Sequence, residues 1–462
     1  MVSTHGKKIA LAIAACALLA TAVILPLQAR RAAARQPAPA QSAEAAGPRH
    51  VAPTDTPTAA PPAPGGEVSA VQAQPTAETP PPQPTDTAPP PTQPLATPEP
   101  MRETRAVWVS RFDLKDHPDI QRIVDNAALA NINVIFFQVR GAADALYRPG
   151  LEPWSAVLTG RLGQDPGYDP LGEMITRAHE KGIEVHAWMN AYPVWQGATP
   201  PPSNTTPLHM YHEFNARFGN EWLQWDASGP IRLGQKDYLV ANPAHPAVQD
   251  RIVAVARDLL ERYPLDGIHL DYIRYVGREF SQDPLSNRLY AEAAQQQPGL
   301  TREDWQRDQV TTLVLRVRDE ALPARPGARL TATAWPAYKD VSGWYNGNDG
   351  YFAFYQDSQR WARDGAVTAI VPMLYGMTIH DFLDRYETLA RDYVENTPPG
   401  STILGVGADY DTFEPIAQRI EVTRRLGASG QAFFSYSALE EHNYWQALRD
   451  GPYSQPAVPA WR

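Results

Sequence analysis

From residue 101 onward, eight apolar, β-rich runs recur with helical patterns between most of them. They are "RAVWVSRF", "NVIFFQVR", "IEVHAWMN", "GIHLDYIRY", "RLTATAWPA", "AVTAIVPMLYG", "STILGVGADY" and "GQAFFSYSAL". The clearest helix follows "YDPL": Asp169 suits the N-cap, Pro170 the first helical position, and Gly182 the stop, with Leu171, Met174, Ile175 and Ala178 forming one apolar stripe. A second pattern runs from His245 to Tyr263, with Val248, Ile252, Val255, Ala256 and Leu259 on one side. Strand–helix alternation implies a parallel sheet, and eight strands can close on themselves. The expected fold is therefore α/β, a (β/α)8 TIM barrel over residues 102–456. A doubly wound open sheet is the alternative, but it would carry a Gly-rich turn after its first strand, and "RFDLKDHPD" has none.

Two connections are too long to serve only as links. Residues 141–167 follow the second strand and 191–243 the third, both leaving strand C-terminal ends, where barrel enzymes build their sites. Their aromatics, Trp154, Tyr192, Trp195, Tyr211, Trp222 and Trp225, favour ordered loops that face a substrate. Trp222 and Trp225, three apart, also suit a small core belonging to the loop itself.

Polar residues recur at every second position near the strand ends: Gln138 and Arg140; His186, Trp188 and Asn190; His269 and Asp271. Tyr375 and Tyr436 close two further runs. Strands of a closed parallel barrel have no solvated face, so such residues are expected to converge on the barrel mouth. Three chemistries fit the cluster. Glycoside cleavage needs two carboxylates with hydrogen-bond donors and aromatic walls around them. A metal-dependent hydrolase would use His186, His269 and Asp271 as ligands. Glycan recognition without turnover is the third. The histidine spacing and the indole and tyrosine neighbours favour a sugar over a metal, and no cofactor is expected. Each residue also has a plainer reading: Asp271 paired with Arg140 or Arg274, His186 and His269 as hydrogen-bonding groups, Trp188 as core, and Glu152 as a loop brace.

A formal charge of −10 and a pI near 5.6 argue against nucleic acid as a partner, since phosphate binding wants a basic face, and point to a neutral or weakly charged substrate. Residues 1–29 read as a signal peptide or an uncleaved membrane anchor: Lys7 and Lys8 precede an apolar run from Ile9 to Leu27. The single cysteine, Cys16, lies inside that run, so the remainder has no thiol. Residues 30–101 are rich in Pro, Ala and Thr, with roughly two-fifths of the chain's 46 prolines, and read as a disordered tether. The barrel is thus expected outside the cytoplasm, in the periplasm or cell envelope, held at the membrane if the N-terminal segment stays uncleaved.

The motifs "ETRAVWV", "NVIFFQVRGAADALYRPGLEPWS", "GYDPL", "AHEKGIEVHAWMNAY", "ANPAHPAVQD", "DGIHLDYIRY", "VPMLYG" and "FFSYS" occur in that order between about residues 102 and 456. In them the chain resembles the exported glycosyl hydrolase-like family ten. The resemblance implies a TIM-barrel glycosidase of the bacterial envelope, with peptidoglycan glycan strands as the leading polysaccharide. Many relatives carry two consecutive acids after "GIHF" or "GIHL"; Asp271 matches the first and Tyr272 replaces the second. Asp271 is then expected as nucleophile or base. Its acid partner is expected on a loop: Glu152 first, with Asp144, Asp409, Asp411 and Asp340 as other candidates. Arg140, Asp144, Trp154, His186, Trp188, Asn190, Tyr192, His269, Tyr375 and Tyr436 are expected to bind the sugar or wall the cleft.

Overall fold

A computed structural model describes residues 99–114, 119–376 and 378–462. The expected N-terminal segment and nearly all of the proline-rich tether lie outside the described residues. Eight parallel strands form one sheet: β1 (Thr104–Val109), β2 (Val134–Arg140), β3 (Glu184–Asn190), β4 (Gly267–Asp271), β5 (Arg329–Ala334), β6 (Ala369–Pro372), β7 (Ile403–Gly407) and β8 (Gly430–Phe434). Their order is β6-β5-β4-β3-β2-β1-β8-β7. The ring closes where Ile370 N–H donates to Ser401 O (2.9 Å) beside a parallel bridge from Ile370 to Thr402. The fold is a TIM barrel.

Helices cover the outside: α1 (Asp119–Leu129), α2 (Pro170–Glu180), α3 (Pro246–Arg262), α4 (Arg302–Arg316), α5 (Ser358–Arg363), α6 (Leu383–Glu395), α7 (Glu414–Leu426) and α8 (Trp445–Asp450). α2 starts as the sequence predicts, with Asp169 Oδ1 accepting from Gly172 N–H (3.2 Å), and ends before Gly182 at φ +71°. α3 buries the anticipated stripe against the sheet and adds Leu260. Outward strand residues and these stripes make the larger core, and Ala106, Trp108, Val134, Phe136, Trp188, Ala369, Val371, Ile403 and Ala432 fill the barrel. Gly267 is required there. A Cβ at that position would lie 2.7 Å from His186 Nδ1 and 2.6 Å from Arg329 O, so only glycine leaves room for the imidazole.

The loop after β3 is ordered around its own core. Trp222, fully buried, donates to Asn215 Oδ1 (2.9 Å) and Gly219 O (3.0 Å) and meets Phe214 edge to face, while Pro193–Trp195 pairs antiparallel with Leu239–Val240.

The chain's end closes the bottom of the barrel. Met101–Arg102 pairs in parallel with Ala457–Val458, and Ala460 N–H donates to Thr104 Oγ1 (3.0 Å). Trp461 Nε1 and Arg462 Nε donate to the two oxygens of Glu184 at 2.9 and 2.6 Å. Burial would raise the Glu184 pKa. The adjacent His186, the indole and the guanidinium overcome it and hold the carboxyl down at about 2. A depressed carboxyl stabilises the fold above its unfolded value near 4.5, and that contribution is lost as pH falls through about 2. Deleting Trp461 and Arg462 is expected to lower the unfolding free energy by about 1–3 kcal/mol at pH 7, the half-exposed Arg462 limiting the loss. In urea titrations the difference from the full chain should shrink between pH 4.5 and pH 2.

Candidate active site

Asp271 ends β4, pairs with Asn190 of β3 and keeps 6% of its surface exposed at the mouth. Its Oδ1 accepts from Thr333 Oγ1 (2.7 Å) and from Tyr272 N–H (2.6 Å), and its Oδ2 accepts from Trp188 Nε1 (3.2 Å). A carboxylate oxygen has two lone pairs, so Oδ1 is fully engaged while Oδ2 keeps one. Tyr272 adopts φ +49°, in the left-handed region, which costs a non-glycine residue on the order of 1 kcal/mol. That turn aims its N–H back at the carboxylate. Three donors thus fix Asp271 in one orientation.

Below Asp271, His269 is fully buried. Trp108 Nε1–H donates to its Nε2 (2.9 Å), so Nε2 is the acceptor and the ring proton sits on Nδ1, which donates to Thr331 Oγ1 (2.9 Å). The imidazole stacks on Phe136 at 4.0 Å, and burial, aided by His186, pushes its pKa well below the usual range. It is a neutral strut inside the barrel. His186 lies lower still, opposite Gly267, buried with Nε2 3.5 Å from Glu184. At ~3.3 Å per residue, the four residues from Gly267 to Asp271 separate those levels by about 13 Å. The metal reading is corrected on that ground: His186, His269 and Asp271 stand at successive levels, and both nitrogens of His269 are spent. Among the described residues no group of three such side chains is placed to share an ion.

The predicted face of β2 also changes. A bulge between Gln138 and Arg140 sets Arg140 opposite Met189, whose side chain belongs to the outer core. Arg140 therefore leaves the face that carries Gln138 and enters a closed ion pair. Its Nε and Nη2 donate to Glu152 at 2.8–3.0 Å, and its Nη1 donates to Ala191 O (3.1 Å) and Asn190 O. Both side chains are essentially unexposed. Glu152 is thus a brace tying the β2 loop to the end of β3, with no face toward a substrate. Asp144, 6% exposed, is a second brace whose Oδ1 accepts from Ala142 N–H (2.8 Å) and Gly141 N–H (3.2 Å). Burial would raise its pKa, but the Arg111 charge and hydrogen bonds from Ser155 and Ala142 hold it below the usual carboxylate range.

Of the other expected cleft residues, Gln138 and Asn190 do meet at the mouth: Gln138 Nε2 donates to Asn190 Oδ1 (3.3 Å), and Asn190 Nδ2 to Gly141 O (3.0 Å). Tyr375 stays half exposed, stacked on Phe434 at 4.6 Å and edge-on to Trp108. Trp188 takes the plainer of its two expected roles, filling the barrel, and in addition donates to Asp271. Three aromatics lie elsewhere. Tyr192 is buried in the outer core, Trp154 is buried in the β2 loop, and Tyr436 donates to Glu440 (2.7 Å) while accepting from Asn126 of α1. Asp340 accepts from Tyr345 and Gly347 N–H and braces its own loop. Asp411 is exposed, as is Asp409 after β7, whose Oδ1 lies 3.6 Å from His380 Nε2.

Sequence reasoning gave Arg274 only as a partner for Asp271 and passed over Thr333 and Trp335. Thr331 and Thr333 had a signal, since "TATA" repeats the two-residue spacing of His269 and Asp271 on the neighbouring strand. Arg274 and Trp335 had none, because they follow their strands at turns.

These features, a closed parallel barrel with a held carboxylate at its C-terminal mouth and aromatic side chains beside it, are those of a glycosidase-type TIM barrel. The chain belongs to the family described as glycosyl hydrolase-like 10, whose sequence model matches residues 103–419. It is 27% identical over 356 residues to the glycosyl hydrolase DigH of Escherichia coli K12, covering 70% of this chain and 76% of that protein. To the glycosyl hydrolase YngK of Bacillus subtilis it is 26% identical over 395 residues, covering 77% and 73%. Among solved structures, the glycoside hydrolase domain of PgaB (BpsB) from Bordetella bronchiseptica aligns over 75% of this chain and 98% of that one, with a TM-score of 0.56 at 15% identity. The catalytic domain of a Paenibacillus polymyxa β-amylase aligns over 74% and 94%, with a TM-score of 0.52 at 11% identity. These last two likenesses concern the fold alone.

The buried Arg140–Glu152 pair makes a direct prediction. Glu152→Gln leaves a buried guanidinium without its countercharge and is expected to cost about 3–5 kcal/mol of stability in urea unfolding. A variant that keeps wild-type stability while losing all activity would instead mark Glu152 as chemical.

Proposed function

We propose that this chain is an exported glycoside hydrolase acting on a bacterial cell-wall polysaccharide, with peptidoglycan glycan strands as substrate and Asp271 as nucleophile or base. The observation that carries the reading is Asp271 itself, a carboxylate at the barrel mouth fixed by three donors with one Oδ2 lone pair left open. Family membership supports the chemistry, and the apolar run from Ile9 to Leu27 with the proline-rich stretch after it supports export and tethering. Asp271→Asn is expected to lower release of soluble fragments from purified glycan strands by at least about 10³-fold while binding persists, since it keeps the shape and removes the charge. Wild type that binds the strands and releases nothing would favour the second reading, a glycan-binding barrel without turnover. The specific observation on that side is Tyr272, standing where many relatives place a second acid.

For the proton donated to the leaving oxygen we assign Asp409. Glu152 and Asp144 are enclosed as braces; of the two exposed acids after β7, Asp409 flanks Gly407 together with the cleft residue Tyr375, and Asp411 lies two residues further along the loop. Asp409→Asn should slow cleavage of a sugar–sugar bond by about 10²–10⁴-fold and barely slow an aryl glycoside whose phenolate leaves unprotonated. Equal losses on both substrates would remove Asp409 from that role.

A further inference from the structure

Arg274 follows Asp271 by three residues, is 4% exposed, and makes no hydrogen bond among the described residues; its Nη1 is fully enclosed without a partner. Burying a guanidinium in that state is costly. What holds it is aromatic: its Cζ lies 4.5 Å from the Tyr272 ring centroid and 5.3 Å from that of Trp335. Ring faces fix the guanidinium plane and consume none of its N–H groups. The nearest acid oxygen, Asp271 Oδ1 at 3.8 Å, is beyond hydrogen-bond length and already takes two shorter bonds from Thr333 and Tyr272. Arg274 is therefore oriented, desolvated and in ionic contact with Asp271 through Nη1, while its N–H groups make no hydrogen bond among the described residues.

The stack does not stop at Tyr272. That ring meets Tyr238 edge to face at 5.4 Å, Arg111 Cζ lies 5.8 Å from Tyr238, and Phe112 follows at 4.7 Å from the same guanidinium. Four rings and two cations thus run in contact from the end of β5 past Asp271 to the end of β1. Rings suit the apolar faces of sugars, and a planar guanidinium with its N–H groups unspent suits a planar carboxylate. In a chain of formal charge −10, no general field would draw an acidic polymer, so its recognition has to be local.

We infer that Arg274 forms a subsite for a carboxylate carried by the sugar next to the cleaved bond, so that the substrate is an acidic glycan read through its free carboxyl groups. This deepens the cell-wall reading and rests on it for the identity of the polymer, but the subsite can be tested separately.

Asp271→Asn protein, which should bind without cleaving, is titrated calorimetrically with two pairs of ligands. One pair is peptide-free cell-wall glycan oligosaccharide with its lactyl carboxylates intact or reduced to alcohols. The other is a uronic-acid oligosaccharide and its reduced form. Reduction is expected to weaken binding about 10–100-fold. Adding Arg274→Gln should remove the same factor for the carboxylated ligand and change the reduced one less than about twofold. Arg274→Lys should recover only part of it, since an ammonium lacks the fork; urea unfolding checks that each variant is folded. Equal binding of carboxylated and reduced ligands, equal weakening of both by Arg274→Gln, or no binding of any carboxylated ligand overturns the subsite. Arg274-dependent binding of the uronic acid ligand alone would keep the subsite and reject the cell-wall polymer.

Discussion

A closed parallel sheet offers its strands no face to water, and most of what is distinctive in this barrel follows from that. Polar groups that point inward have to find partners among other inward groups, and most of them do. Trp108, His269 and Thr331 solve the problem together: indole to imidazole to hydroxyl, with the imidazole stacked on Phe136. That relay lies in the barrel interior on the side of Asp271 away from the mouth. The same rule acts at the bottom, where Glu184 is satisfied by the last two residues of the chain.

Above the relay the rule relaxes in steps. Asp271 has three donors and one open lone pair. Arg274 has aromatic support and, among the described residues, no hydrogen bonds. Asp409 and Tyr375 face solvent in part. At the C-terminal mouth the unspent groups meet solvent, which makes it the place for chemistry; His186, whose ring nitrogens have no hydrogen-bond partner among the described residues, is sealed at the bottom of the barrel beside Glu184. The loops are held to this mouth by enclosed carboxylates whose oxygens are engaged by the protein itself. Arg140 with Glu152 ties the β2 loop to the end of β3, and Asp144 folds the start of that loop onto Gly141 and Ala142. Gly141 also makes room for Arg111, whose guanidinium nitrogen would lie 1.6 Å from a Cβ there and would have to move.

Strand and helix signals were legible because each depends on neighbours in sequence. The eight β-rich runs became the eight strands, the α2 cap and stop fell at Asp169 and Gly182, and the α3 stripe was read nearly residue by residue. The site was legible where alternation held: His269, Asp271, Trp188, Asn190 and Gln138 all point inward. It failed at Arg140 because a bulge inserts one residue and reverses parity, and no local pattern announces it. It failed for His186 because alternation gives the face of a residue and not its height in the barrel. Tyr192 and Tyr436 lie beyond their strands, where a two-residue repeat no longer applies.

The sequence by itself determined the number and order of elements, the inward face of most strands, the family, and Asp271 as the carboxylate of interest. These follow from periodicity and from contiguous motifs. Tertiary structure decided which polar residues are struts and which are open. It enclosed Glu152, made His269 a neutral support, left Asp409 exposed, and set Arg274 between two rings without a hydrogen bond from the described residues. Partnership of that kind depends on groups brought together from different strands and loops by the closing of the ring, as Trp108 meets His269 across 161 positions of the chain.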